Sequence, residues 1–139
     1  MRVLGVDFGF ERIGLAVGET DHQLASPRPV LSAAGSLKKD AEAIARLAKS
    51  EGADLVVVGL PLEQDQVEGR MARITRQLAG HLETLGCKVA MVDESLTSVN
   101  AETVMWEAGL KAAERKRKRD SEAACQILER YFHGHETKV

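Results

Sequence analysis

Residues 54–60 read DLVVVGL, and after the opening aspartate no position offers water a polar side chain. A strand with two apolar faces has to be covered on both, and such strands belong to parallel sheets held between layers of helix. That single stretch therefore commits the chain to an α/β architecture. The flanking sequence supplies the covers. Between Ser36 and Glu51, residues Ala41, Ile44, Ala45 and Ala48 recur at helical spacing, with Gly52 as the stop. Val67, Met71, Ile74, Leu78, Leu82 and Leu85 trace a second helical stripe that ends at Gly86, and KVAMVD at 88–93 is the next strand.

Upstream, RVLGVDF (2–8) and RIGLAVG (12–18) are two apolar runs joined through Gly9, Phe10 and Glu11, a hairpin pattern in which Gly5 and Gly14 mark close backbone approach. PRPVLSA (27–33) is short and proline-bearing, which assigns it to a sheet edge. Downstream, one helix is expected from about Ser98 to Ala108 and another from about Asp120 to Phe132. The order β-β-β-α-β-α-β-α-α predicts a mixed five-stranded sheet, three antiparallel strands and then parallel ones, flanked by helices. At 139 residues one domain is expected. It would carry a basic loop at 111–119 and a short mobile tail from about 133.

Composition narrows the class. With 44% hydrophobic and 29% charged residues the chain is of ordinary globular type. No apolar run reaches the roughly 20 residues that span a bilayer, and the N-terminus lacks a signal-peptide profile, so a cytoplasmic protein without a membrane partner is expected. Cys87 and Cys125 lack metal or redox spacing and read as two buried thiols. Net charge is −2, yet KAAERKRKR at 111–119 carries six basic residues and one acid, a local +5, so the remainder carries −7. Such a run is either a solvated loop or an arm that tracks phosphates.

Four acids fall at one rim of this topology, the rim where open α/β sheets keep their sites. Asp7 ends the first strand, Asp93 and Glu94 follow the last, and Asp120 opens the final helix after the basic run. Each has a local explanation: Asp7 as a turn acceptor, Glu94 as a solvated loop residue, Asp120 as an N-cap. Together, Asp7, Glu94 and Asp120 beside a cationic arm are what hard Mg²⁺ or Mn²⁺ needs for oxygen ligands. Two such ions roughly 3.5–4 Å apart support phosphodiester hydrolysis. Glu94 is preferred to Asp93 because it must span two strand spacings, about 9–10 Å.

VDFGFERIGLAVGE, ASPRPV, VVVGLPLEQDQVEGRMARI, VDESLTSVNAE and KRKRDSEAACQIL appear in the order and spacing of the YqgF/RuvX family, which this chain resembles over nearly its whole length. The resemblance implies an RNase H-like three-layer fold and a metal-dependent nuclease. It implies catalytic and metal-binding acids at Asp7, Glu94 and Asp120, and a role in maturing the 5′ end of 16S rRNA, with a ribosome precursor as partner, or in DNA junction and repair processing. Three positions depart from the family pattern: Glu11 stands where a Lys is usual, Ser95 where an Arg is, and Gln66 where a Gly is. Arg12, Arg115, Lys116, Arg117, Lys118 and Arg119 are the expected nucleic-acid contacts, the basic run compensating for the two missing cations. RNA and DNA both fit as substrates, and monomer and homodimer both fit as states, a symmetric junction cut calling for the dimer. Two other classes stay open: a non-catalytic RNA- or ribosome-binding module, and an actin-like phosphotransferase, to which GVDFG is similar but for which 139 residues are short.

Overall fold

The structure, a computed structural model, describes residues 1–61, 69–94 and 112–137, of which 112–117 by their backbone alone. Strand β1 (Arg2–Phe8) alternates: Leu4, Val6 and Phe8 face one side of the sheet, Val3, Gly5 and Asp7 the other. It pairs antiparallel with β2 (Arg12–Glu19), Asp7 opposite Gly14, and β2 pairs antiparallel with β3 (Leu24–Ser32). Pro27 and Pro29 sit in β3, the edge strand, where absent N–H donors cost no ladder bond.

Helix α1 (Leu37–Ser50) is capped by Ser36, whose side chain accepts from Lys39 N, and leads to β4 (Leu55–Leu60), parallel to β1. Helix α2 (Arg70–Thr84) leads to β5 (Val89–Asp93), parallel to β4. Leu4, Val6 and Ile13 pack with Ile44 of α1 and Leu78 and Leu82 of α2 to form the larger core. On the opposite face Val3, Ala16, Val57 and Val92 pack with Ala124, Ile127 and Leu128 of a last helix, α3 (Ala112–Phe132). The apolar heptad is thus covered on both sides, as its composition requires. Among the described residues no helix is long and apolar enough to cross a membrane.

Three expectations are corrected. The basic run is not a loop: its backbone is helical from Ala112, so Asp120 lies inside α3 rather than at its N-cap. Ala, Glu, Lys and Arg are all strong helix formers, and like-charge repulsion at i,i+4 costs only a few tenths of a kcal/mol per pair, too little to break a run without Gly or Pro. The tail expected to be mobile from about 133 enters the sheet at Glu136–Thr137, and among the described residues the sheet has six strands rather than five. Gly134, with φ 83°, turns the chain out of α3 while His135 N donates to Arg130 O at 3.0 Å, and Glu136–Thr137 (β6) then pairs antiparallel with β5. Two residues are too few to show a period. Cys125 is buried as expected, whereas Cys87 is half-buried. The helix expected over 98–108, together with Ser95, Gln66 and Val67, lies outside the described residues.

Candidate functional site

Asp7 stands at the rim end of β1 on the α3 face, half-buried. Its cross-strand partner Gly14 explains what stands beside it. A Cβ on Gly14 would collide with the backbone carbonyl oxygen of Asp120, so only glycine lets α3 come this close to β2. Gly5 does the same farther along, where a Cβ would lie 2.7 Å from Leu128 Cγ. These small residues draw the mid-helix Asp120 toward Asp7.

Glu94 arrives from the other side. Its backbone N donates to Leu60 O at 3.3 Å, fixing it just past β5, two strands from β1 in the order β3-β2-β1-β4-β5-β6. Its side chain crosses β4 over Gly59, with Oε2 2.8 Å from where a Cβ would be, and its carboxyl hydrogen-bonds that of Asp7. Glu94, not Asp93, therefore makes the reach.

Two carboxyls in contact cannot both ionise freely. Burial pushes Glu94 well above the usual carboxylate range, helped by the hydrogen bond with Asp7 and by the charges of Asp7 and Asp93. Burial also raises Asp7; the hydrogen bond from Glu94 opposes this, the charge of Asp120 adds to it, and that of Arg119 counters it. The pair accordingly favours holding one proton between its facing carboxyls.

Asp120 is near enough for its charge to act on Asp7, but its Oδ2 accepts from Arg12 Nε at 2.7 Å. The expected meeting of three acids is thus partial. Asp7 and Glu94 touch, while an arginine claims the third, and among the described residues no group of three His, Cys, Asp or Glu side chains forms a ready cation cage. The donor chemistry still suits a hard divalent cation, since two oxygen acids pressed together repel and such an ion relieves both. Arg12, expected as a nucleic-acid contact, bridges Asp120 and Glu11, whose Oε2 lies 3.4 Å from Nη1.

Of the basic run, Lys118 is exposed and Arg119 half-buried, its charge felt at Asp7. The side chains of Arg115, Lys116 and Arg117 lie outside the described residues. Beside Asp120 a groove of about 760 Å³ opens between β3 and α3, with Arg12, Arg28, Lys118, Ser121 and Glu122 on its walls. Ser121 Oγ donates to Arg28 O at 3.0 Å and ties the helix to the edge strand along this groove. The sequence reading missed two functional positions here: Gly59 as the crossing point and Arg12 as the partner of Asp120. A glycine inside an otherwise aliphatic buried strand was the available signal for the first; an ion pair 108 residues apart left none for the second.

A family model described as "RuvX: Holliday junction resolvase" matches residues 1–134. A relative from Anaeromyxobacter sp. (strain K), named "Putative pre-16S rRNA nuclease", is 43% identical over 131 residues, covering 93% of this chain and 94% of its own. A relative of the same name from Chloroflexus aurantiacus is 38% identical, covering 94% and 85%. Among solved structures, T. thermophilus RuvC in complex with a Holliday junction substrate superimposes with TM-score 0.56 at 18% identity, over 100% of this chain and 99% of that one. The large terminase nuclease from the thermophilic phage G20c gives 0.56 at 13% identity, over 94% and 81%. At such identities the likeness speaks for the fold, which is the RNase H-like α/β one.

Proposed function

We propose a cation-assisted phosphodiester cut for this chain, which belongs to the RuvX family of Holliday junction resolvases and is a nuclease by that membership. The observation that carries the proposal is the contact of Glu94 with Asp7 across Gly59, two oxygen acids meeting at the rim where the sheet opens. These two, with Asp120 beside them, are the residues that would hold Mg²⁺ or Mn²⁺. When bound, such an ion supplies Lewis-acid stabilisation of the charge that develops on the phosphate and activation of water.

The chain's own residues do the rest. Arg12 fixes Asp120 through Nε and keeps its second oxygen directed by a rigid partner. Lys118 and the groove it lines receive the nucleic-acid backbone, and Arg115 to Arg119 extend that contact along α3. Relatives named as pre-16S rRNA nucleases make the 5′ end of a 16S precursor the first substrate to test, with DNA junctions second. The same reading takes residues 1–139 as one cytoplasmic domain.

The test incubates the protein with Mg²⁺ or Mn²⁺ and labelled 16S-precursor RNA, single-stranded DNA and a four-way junction. Asp7→Asn is expected to keep its fold and much of its affinity while cleavage drops about a thousandfold, the rate equivalent of several kcal/mol of lost transition-state stabilisation. Cleavage by Asp7→Asn at the parent rate would remove Asp7 from the chemistry. Binding by the parent without metal-dependent cutting would favour the non-catalytic module instead.

A further inference from the structure

The side chain of Glu94 reaches across β4 to Asp7, and the backbone from which it starts is held from two directions. The peptide that joins Asp93 to Glu94 donates its N–H to Leu60 O of β4 at 3.3 Å, and its carbonyl oxygen accepts from Arg130 Nη1 of α3 at 3.0 Å. A peptide unit is planar, so with both of its polar groups engaged it is fixed as one plate. Arg130 is itself seated. It is half-buried in the last turn of α3, and its own carbonyl oxygen accepts from His135 N at 3.0 Å, where the chain turns toward β6. One turn earlier on the same helix, Ile127 Cδ1 shares the space over Gly59 with the Glu94 carboxyl. Helix α3 thus meets Glu94 at both ends of its reach.

A cation in the last turn suits the helix dipole wherever it points, but the dipole does not direct Nη1 to one carbonyl of a strand end 37 residues away in sequence. We infer that Arg130 is a positioning residue for the cut: it holds the peptide between Asp93 and Glu94 so that the Glu94 carboxyl lands against Asp7. The inference rests on the nuclease reading above and adds to it a residue that acts through the backbone of Glu94. Glutamate has three side-chain torsions, so a root free to pivot would spread its carboxyl over several places above Gly59, of which few meet Asp7. Groups that orient a metal ligand from behind are worth about 10- to 100-fold in metal affinity or activity. Arg130 stands in that relation to Glu94.

The test compares Arg130→Met and Arg130→Lys with the parent in Mn²⁺ affinity by calorimetry, amide exchange at Glu94, metal-free RNA affinity at several salt concentrations, and kcat and KM for cleavage. Met keeps an apolar stem and removes the donor; Lys returns one. Arg130→Met is expected to lose about 10- to 100-fold in Mn²⁺ affinity and in kcat and to exchange the Glu94 amide faster, with KM, RNA affinity and its salt slope at parent values. Arg130→Lys should recover much of each loss. Weaker RNA binding with a shallower salt slope and intact Mn²⁺ affinity would make Arg130 a phosphate contact and overturn the inference. Mn²⁺ affinity and kcat at parent values in Arg130→Met, whatever its melting temperature, would overturn it too. If Arg130→Met does not fold, Arg130→Gln, with a shorter polar side chain, takes its place under the same criteria. A parent that binds Mn²⁺ without cutting would remove the nuclease reading and keep the positioning role where Arg130→Met loses that affinity. A parent that cuts, matched by Arg130→Met in Mn²⁺ affinity and kcat, would remove the positioning role alone.

Discussion

The single proton between Asp7 and Glu94 sets how the proposed site meets a cation. The pair keeps it above the ordinary carboxylate range, because burial and the facing charge both disfavour a second ionisation. A cation needs both groups ionised, so it must displace that proton. Apparent Mn²⁺ affinity should then fall by about tenfold per pH unit below the raised value and level off above it. Titration calorimetry in two buffers of different ionisation enthalpy would count the released proton, and a heat independent of buffer would refute the pairing. The stability sign follows the same logic. A carboxyl raised in the folded state favours the fold while protonated, so this pair's contribution diminishes as pH climbs from the normal carboxylate range through the raised one.

At the scale of elements, the seam between α3 and the sheet decides the geometry. Gly14 faces a backbone carbonyl and Gly59 faces the ends of two side chains, Glu94 and Ile127, so equal substitutions should act differently. Gly59→Ala leaves the helix in place and displaces Glu94: a loss of about 1–3 kcal/mol in stability and, for a shift near 1 Å, about a hundredfold in cleavage. Gly14→Ala forces α3 itself outward and should cost more stability. Thermal melts beside cleavage rates separate the two, and a Gly59→Ala chain cutting at the parent rate would dissociate Glu94 from the chemistry.

This seam also shows where the sequence was readable. The unbroken apolar run of DLVVVGL, the two helical stripes and the hairpin appear where their patterns put them, Val67 at the head of the second stripe lying outside the described residues. Asp7 and Glu94 were legible because strand ends define a rim. Arg12 with Asp120 was not, since such a partnership arises only when distant segments pack. The helical basic run was misread because charge density was weighed above the helix propensity of its residues.

For the whole molecule, a net charge of −2 coexists with a +5 stretch leading into the proposed site. Binding to RNA should therefore weaken steeply with salt despite the overall sign. If the run makes about five phosphate contacts, affinity should fall about a hundredfold between 50 and 200 mM salt on a single strand. A flat salt profile would detach the run from binding.

The proposed acids come from residues 7, 94 and 120 of a 139-residue chain. During synthesis the acid at 120 is made last of the three, so a chain halted before it would lack both that carboxylate and the helix that packs against Gly14. Such a chain is expected not to cut, however well its first strands have paired.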